Sequence, residues 1–225
     1  GEGVVDARNE MRAFETDALT AYLQLPLVVV LPETTAQVSR ILKYCDERNI
    51  RVVPRGSGTS LSGGALPLED AVLLVMSRFN RILDIDFPNR AVVAQPGVTN
   101  LGITRAVEED GFYYAPDPSS QIACSIGGNV AENSGGVHCL KYGLTVHNVL
   151  QVSGFTVEGE PIEFGSQALD APGYELLALV HGSEGMLAVT TEVTVKLLPR
   201  PRLARCIMAS FDDVRQAGDA VAAVI

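Results

Sequence analysis

The sequence predicts an α+β fold, and two patterns along the chain support that class. Near the N-terminus an apolar run, an amphipathic segment and a second apolar run follow one another, which predicts a βαβ unit. From residue 82 onward, short runs of alternating apolar and polar residues are separated by turn residues. This pattern predicts antiparallel hairpins with helices between them. We therefore expect two α/β subdomains: a small βαβ unit, then a larger mixed or antiparallel sheet with flanking helices.

The predicted βαβ unit has start and stop signals for each of its elements. The apolar run 28–31 ends at Pro32 and is typical of a buried strand. Thr34 and Gln37 form a capping box, and the apolar residues that follow recur at helical spacing, so we expect a helix and then a strand at 50–53. Glycines follow the second strand of this unit, whereas in a Rossmann unit they follow the first.

The rest of the body is predicted from the same kinds of signal. Alternating apolar and polar residues on both sides of a turn indicate a hairpin, and Gly and Pro mark the ends of helices and strands. In chain order we expect a strand at 72–76, a hairpin of strands 82–86 and 91–95, a helix that begins at Thr99 or Asn100 and ends at Gly111, a hairpin of strands 149–157 and 161–164, a helix at 174–180 and a strand at 189–197.

The last part of the chain is predicted to begin a second domain. Cys206–Phe211 has the composition of a strand, and Asp212 or Asp213 can cap a final helix that has one apolar face. A lone strand and helix bury little surface, so we expect a substrate or cap domain that starts here, although the helix could instead fold back on the body. The predicted organisation is a lead-in at 1–25, a main domain at 26–200 with subdomains of about 26–86 and 87–200, and the truncated start of a further domain at 201–225.

A glycine-rich stretch at 54–64 is the feature around which the chain is organised. Glycine lets successive backbone N–H groups turn toward one anion without a Cβ in the way. The stretch lacks the Lys-Ser or Lys-Thr of a Walker A loop, and Leu61 stands where a Rossmann fingerprint needs its third glycine. We expect it to join two strands and to hold a phosphate through backbone amides, the alternative being a mobile surface loop. The stretch also contains side chains that can donate hydrogen bonds to a phosphate, at Arg55, Ser57, Thr59 and Ser60.

Two more glycine-rich stretches follow, at 115–142 and 181–185. The first is too long and too rich in glycine and small polar residues for an ordinary connection, and long loops in compact domains are usually functional. If all three stretches serve one ligand, the turns around residues 57, 128 and 185 must meet at a shared groove. We therefore expect them to converge on one long dinucleotide.

Composition limits the classes of function. The net charge of −10 and pI of about 4.7 argue against a nucleic-acid binder, so a phosphate would have to be held by local donors. The four cysteines at 45, 124, 139 and 206 contain no C-x-x-C, which predicts neither a zinc site nor a disulfide framework and suits a reducing compartment. The start of the chain lacks the pattern of a signal peptide, and no apolar run reaches membrane-spanning length. We expect a cytoplasmic protein with no bound metal.

Three motifs together resemble a known family. PRGSGTSLSGG, DPSSQIACSIGGNVAENSGGVHCLKYG and GSEGMLAVTTE resemble the FAD-binding domain of the vanillyl-alcohol oxidase / p-cresol methylhydroxylase (PCMH-type) superfamily, from about Pro26 to Pro199. The resemblance is strongest to the branch with glycolate oxidase flavin subunits and D-lactate and D-2-hydroxyglutarate dehydrogenases. It implies a PCMH-type fold in which the first motif holds the FAD pyrophosphate, the second lies along the flavin and phosphates, and the third lies near the adenosine.

The resemblance also implies a set of cofactor-binding residues. Two positions depart from the usual pattern, because Ser60 and Ala188 stand where glycine is common, and Ala188 would weaken the fit if it needed a positive φ. The implied residues are Arg55, Gly56, Ser57, Gly58, Thr59, Ser60, Gly64, Pro118, Ser119, Ser125, Gly128, Asn133, Ser134, Gly135, Tyr142, Glu184, Gly185 and Val189.

The implied activity is that of a flavin-dependent 2-hydroxy-acid dehydrogenase or oxidase of the glycolate or D-lactate type. Hydride would pass from the carbinol carbon to flavin N5, and a base would take the hydroxyl proton. The base and the carboxylate clamp are expected in the cap domain, so no catalytic residue is assigned here and the fragment alone is expected not to turn over. Thr59 stands where covalent relatives often have histidine, which predicts non-covalent FAD.

The expected partners are FAD, a small 2-hydroxy acid and sister subunits of a glycolate oxidase complex. Two alternatives remain open at this point: a non-catalytic phosphate- or nucleotide-binding module, and an electron-transfer or scaffold subunit that holds flavin without a substrate pocket. Among the histidines His138, His147 and His181, ordinary hydrogen bonding within the fold is favoured over catalysis.

Overall fold

A computed structural model of the chain describes residues 2–166, 168 and 173–225; Gly1 of the predicted lead-in lies outside them. Two main sheets and a two-stranded ribbon carry the fold, and short helices connect them. The strands are β1 Val4–Val5, β2 Val28–Val30, β3 Arg51–Arg55, β4 Ala71–Val75, β5 Ile82–Asp86, β6 Ala91–Ala94, β7 Phe112–Tyr113, β8 Val149–Phe155, β9 Pro161–Gly165, β10 Val189–Lys196 and β11 Leu198–Pro199. The helices are α1 Arg8–Met11, α2 Thr35–Glu47, α3 Asn100–Val107, α4 Ile126–Glu132, α5 Cys139–Tyr142, α6 Thr145–Asn148, α7 Leu176–Val180 and α8 Val214–Val224.

The first sheet contains the predicted βαβ unit. Its strand order is β1-β2-β4-β3, with β2 and β3 both parallel to β4, so β4 lies between the two strands that α2 connects. Helix α2 buries Val38 and Leu42 against Leu74 on one face of the sheet, and Met11 packs with Leu73 on the other. Strands β3 and β4 are joined by the glycine-rich loop with no helix between them, as predicted from the sequence.

Helix α2 begins with the predicted capping box. The Thr34 side chain accepts a hydrogen bond from the Gln37 backbone N–H at 3.3 Å, and Gln37 Oε1 accepts one from the Thr34 N–H at 3.2 Å. These bonds satisfy two N–H groups that would otherwise have no partner within the helix.

We expect Thr34→Ala to lower the free energy of unfolding by about 1 kcal/mol, because the cap is lost while nothing buried changes. Thr35→Ala is the matched control, since Thr35 is an equally exposed neighbour that makes no cap. Urea denaturation of both variants measures the difference, and equal stability of the two would contradict the role of the cap.

The second sheet has the order β5-β6-β10-β8-β9, and all its neighbours are antiparallel. Helices α3 and α4 cover it with buried Ile103 and Ile126, which pack with Val92, Val152 and Val193. Strand β5 ends at the predicted subdomain boundary near residue 86 and pairs with β6 in this second sheet. We therefore propose a boundary between the end of β4 and the start of β5.

Strand β10 also connects the two subdomains. Its first residue, Val189, packs with Val38, Leu42 and Leu74 of the first subdomain, whereas Val193 belongs to the core of the second. The N-terminal end of β10 therefore lies at the junction between the sheets, and the third glycine-rich turn enters β10 there.

The C-terminal segment differs from the prediction in one element. Residues 206–211 form no strand, because a strand needs a neighbour to complete its hydrogen bonds and no described strand lies beside this segment. Helix α8 is present and is capped by Asp213, whose Oδ1 accepts from the Arg215 N–H at 2.9 Å. Its apolar residues Val214, Val221 and Val224 are exposed, so α8 does not fold back onto the described body. Within the described part of the chain, no helix has both the length and the apolar character needed to cross a membrane.

Candidate functional site

The three glycine-rich stretches meet at two adjoining cavities between the subdomains. The larger cavity has a volume of about 390 Å³ and the smaller one about 70 Å³. Each of the three turns contributes to both cavities, so the predicted shared groove is present. Both cavities are lined by Pro54, Gly56, Ser125, Gly128, Ala131 and Glu184.

Most of the residues implied by the resemblance line this groove. The lining includes Arg55, Gly56, Ser57, Gly58, Thr59, Ser60, Gly64, Ser125, Gly128, Ser134, Glu184, Gly185 and Val189. The lining does not include Pro118, Ser119, Asn133, Gly135 or Tyr142.

Three of those five residues make contacts within the neighbouring loops. Pro118 accepts a backbone hydrogen bond from Gln121 at 2.8 Å, and Asn133 Oδ1 accepts one from the Val146 N–H at 3.0 Å. The ring of Tyr142 meets the ring of Tyr113 edge-on. Direct contact between any of the five and a cofactor stays a prediction.

The first loop needs glycine because it passes directly over the start of α4. A Cβ at Gly56 would lie 2.4 Å from Ser125 Oγ, closer than any real contact. Gly58 has a φ of +71°, in the left-handed region that favours glycine. The loop backbone can therefore approach both α4 and a ligand without side chains in between.

The Arg55 side chain makes hydrogen bonds within the fold. Its guanidinium donates to the backbone carbonyls of Ala65 and Thr16, both at 2.8 Å, and to that of Phe14 at 3.4 Å. The side chain is buried, which lowers its pKa, while the nearby Asp17 carboxylate acts in the opposite direction. Arg55 therefore ties the end of β3 to the far end of the loop and to the lead-in, and a role for its charge in binding a phosphate stays a prediction.

Helix α4 lies inside the stretch that was predicted to be a loop. Ser125 caps it, accepting a hydrogen bond from the Gly128 N–H at 3.4 Å, and Asn133 ends it with a φ of +49°. Two successive glycines lower helix propensity, which is why the sequence pattern did not indicate a helix. Close packing outweighs that cost, since a Cβ at Gly127 would lie 2.5 Å from the ring of Pro96.

A buried amide network fixes the loop before α4. Asn100 Nδ2 donates to the Pro116 carbonyl and to Asn129 Oδ1, each at 3.0 Å. Asn129 Nδ2 in turn donates to Cys124 Sγ at 3.3 Å. All four cysteines are free thiols, and Cys124 acts here as a buried packing and acceptor group.

The third turn is anchored to the C-terminal end of α4. The N–H groups of Gly182 and Glu184 donate to the carbonyls of Val130 and Ala131, both at 2.9 Å. Glu184 and Gly185 have φ values of +53° and +77°, which form a tight turn toward β10. Ala188 does not have a positive φ, so this alanine adds no backbone strain.

The groove also has an acidic residue that the motifs did not indicate. Glu132, at the end of α4, lines the larger cavity together with Glu184. Its carboxylate accepts hydrogen bonds from the hydroxyls of Ser60 and Ser62. The Ser60 hydroxyl, predicted as a phosphate donor, is therefore engaged by a carboxylate. The helical period that starts at Ser125 could have placed Glu132 on the groove side, had α4 been predicted.

The histidines make hydrogen bonds within the fold. His138 Nδ1 lies 2.6 Å from Asp117 Oδ2, and His181 Nδ1 lies 2.6 Å from the Leu177 carbonyl. His147 Nδ1 accepts from the Leu144 N–H at 3.1 Å. None of the three lines either cavity.

Comparison with known proteins identifies the family. Residues 26–165 match the family described as FAD binding domain. The chain belongs to this FAD-binding family. Over 225 residues it is 60% identical to glycolate oxidase subunit GlcD of Escherichia coli strain K12. The match covers 100% of this chain and 45% of that relative.

Other relatives have related names. GlcD of Bacillus subtilis strain 168 is 40% identical over 225 residues, covering 100% of the chain and 48% of that protein. A D-lactate dehydrogenase of Archaeoglobus fulgidus is 37% identical over 198 residues, or 88% of the chain and 44% of that protein. The chain thus spans about half the length of the curated relatives that it matches.

A solved structure supports the fold. Alkyldihydroxyacetonephosphate synthase superposes with a TM-score of 0.79 at 22% identity, covering 89% of this chain and 38% of that one. The fold is therefore the PCMH-type FAD-binding fold that the resemblance implied.

The residues present fit an FAD in this groove. Its walls are mostly backbone and small side chains. A Cβ at Gly56, Gly64, Gly127 or Gly185 would meet a neighbouring segment, so glycine at these positions lets the three turns approach closely around one groove. Successive amides of such turns suit a diphosphate, while the apolar junction near Val189 suits a ring.

Proposed function

We propose that this chain is the FAD-binding part of a flavin-dependent 2-hydroxy-acid dehydrogenase or oxidase of the glycolate or D-lactate type. The observation that carries the proposal is the groove where three glycine-rich turns meet at the junction of the two sheets. The names of the relatives, glycolate oxidase subunit and D-lactate dehydrogenase, give the substrate class.

The loop at 56–60 and the start of α4 would bind the diphosphate, and the turn at 184–189 would border the adenosine. When bound, FAD supplies a two-electron acceptor for oxidation of a carbinol carbon. This chain's own residues bind and orient the cofactor and exclude water from one side of it. The affinity for FAD would come mainly from local main-chain N–H donors, because the net charge of −10 repels an anionic ligand at long range.

The remaining parts of the activity belong to the same proposal. No histidine lines the described cavities, so we place the base and the carboxylate clamp in the part of the full-length protein outside this chain. Sister subunits are proposed from the subunit names of the relatives. A cytoplasmic location is proposed from the four free cysteines.

The test uses the natural full-length protein. It should be isolated with an absorption band at about 450 nm from oxidised flavin. Adding glycolate or D-lactate without oxygen should bleach that band, and an artificial dye should then accept the electrons. A protein that contains no flavin and takes up none would contradict the proposal.

A non-catalytic flavin-holding subunit is the second candidate, and the groove without histidine is the observation that favours it. The same experiment separates the two functions. Bound flavin that dithionite reduces, but that no 2-hydroxy acid bleaches, would assign this second function.

We further propose that the FAD is bound non-covalently. Thr59 lines the larger cavity, and a threonine hydroxyl offers no imidazole nitrogen to bond the flavin ring. Acid precipitation is expected to leave a colourless pellet and a yellow supernatant. Yellow colour that stays with the precipitated protein would contradict this prediction.

A further inference from the structure

Glu132 joins the first glycine-rich loop to helix α4. Its Oε1 lies 2.7 Å from the Ser60 hydroxyl and 3.1 Å from the Ser62 hydroxyl, and its Oε2 also lies 3.1 Å from the Ser62 hydroxyl. The two hydroxyls are 2.9 Å apart, and the Ser62 N–H donates to Ser60 Oγ at 3.2 Å. One carboxylate thus holds two positions of the loop at once.

A carboxylate is an unfavourable residue on the wall of a cavity that receives a diphosphate. Glu132 and Glu184 both line the larger cavity, and both of their carboxylates lie near Gly64. Like charges at this range repel, so the charge of Glu132 lowers affinity for an anionic ligand. A benefit in loop order has to outweigh that repulsion.

The benefit follows from the composition of the loop. A stretch with glycines at 56, 58, 63 and 64 loses much conformational entropy when it is fixed in one shape. Hydrogen bonds to a charged acceptor are stronger than neutral ones, and they fix the loop before the ligand arrives. Ordering the loop in advance lowers the entropy cost of binding.

We propose that Glu132 is a positioning residue that orders the FAD-binding loop through Ser60 and Ser62. The inference rests on the proposed function, because it takes FAD as the ligand of the larger cavity. Glu132→Gln keeps an acceptor for the serines and removes the charge, whereas Glu132→Ala removes both. The two variants therefore separate loop positioning from repulsion.

The first test is FAD affinity of the natural full-length protein after removal of its cofactor. We expect Glu132→Ala to raise the Kd for FAD about tenfold above that of Glu132→Gln, since the amide of glutamine keeps a neutral hydrogen-bond acceptor for the two serine hydroxyls and alanine keeps none. Ser60→Ala/Ser62→Ala should raise the Kd at least as much as Glu132→Ala does, because it leaves an unpaired carboxylate in the cavity, and the triple variant should match Glu132→Ala. Equal Kd values for Glu132→Ala and Glu132→Gln, or additive losses in the triple variant, would overturn the proposal.

The second test needs no cofactor and measures amide hydrogen exchange of residues 56–64. Exchange should be faster in Glu132→Ala than in Glu132→Gln, while Glu184→Ala and Glu184→Gln, which change the other carboxylate of the cavity, should exchange alike. If wild-type protein takes up no FAD, the proposed function fails and exchange still decides the role of Glu132. If FAD binds but exchange at 56–64 is the same in both Glu132 variants, the positioning role fails and the function stands.

Discussion

Replacing Arg55 with methionine is expected to lower the free energy of unfolding by about 3 kcal/mol or more and to abolish FAD binding. The buried guanidinium is the donor for backbone carbonyls of Phe14, Thr16 and Ala65. Methionine matches its length and removes every donor. The bond to Ala65 is buried and the other two are partly buried. A carbonyl left unpaired in a buried place costs about 1–3 kcal/mol.

The consequence for the site follows from what Arg55 connects. Ala65 closes the glycine-rich loop, so loss of this bond frees the loop end while the sheet itself keeps its pairing. Arg51→Met is the matched control, because Arg51 lies on the same strand and pairs with Asp70 at the surface. Exposed ion pairs contribute about 0–1 kcal/mol, so this control should unfold almost as the wild type does. Equal destabilisation by the two variants in urea denaturation would contradict the role given to Arg55.

Replacing Gly185 with alanine is expected to weaken FAD binding at least about tenfold, which corresponds to about 1.4 kcal/mol. Gly185 has a φ of +77°, and a Cβ there would lie 2.6 Å from the ring of Pro54. The left-handed conformation costs a non-glycine residue about 1–2 kcal/mol, and the added contact costs about 1–3 kcal/mol more. Pro54 lines both cavities, so relief of the contact moves the wall of the site.

Gly111→Ala separates these two costs. Gly111 has a similar φ of +81°, but a Cβ there would meet nothing within 4 Å, and it lines neither cavity. This control should lose stability through backbone strain alone and should keep the FAD affinity of the wild type. Thermal unfolding and flavin fluorescence titration measure the two quantities. Equal loss of affinity in both variants would show that the contact with Pro54 is irrelevant.

Patterns of local chemistry predicted much of the fold. The capping box at Thr34 and the alternating strands needed only neighbours in sequence, and they were found close to their predicted bounds. Helix α4 was missed because two glycines oppose a helix locally, and the packing of Gly127 on Pro96 that favours it comes from distant sequence. Residues 206–211 have the composition of a strand but no strand beside them among the described residues.

The meeting of the three glycine-rich turns was predicted from the sequence, whereas the hydrogen-bond partners of the charged side chains were not. Glycines indicate where a chain must approach a ligand or another segment, and that property is local. Arg55 and Glu132 find their partners through long-range contacts with Thr16 and Ser60, which no local motif contains. A basic residue beside a phosphate-type loop therefore served the loop, and an acidic residue far away in sequence completed it.

Amide hydrogen exchange of the natural full-length protein, with FAD removed and then restored, tests the central claim most directly. The three turns are taken to hold one dinucleotide through main-chain donors. Exchange should therefore slow at 56–60, 127–129 and 184–189 together, with the same dependence on FAD concentration. Slowing at only one of these segments, or at different FAD concentrations for each, would contradict a single shared ligand.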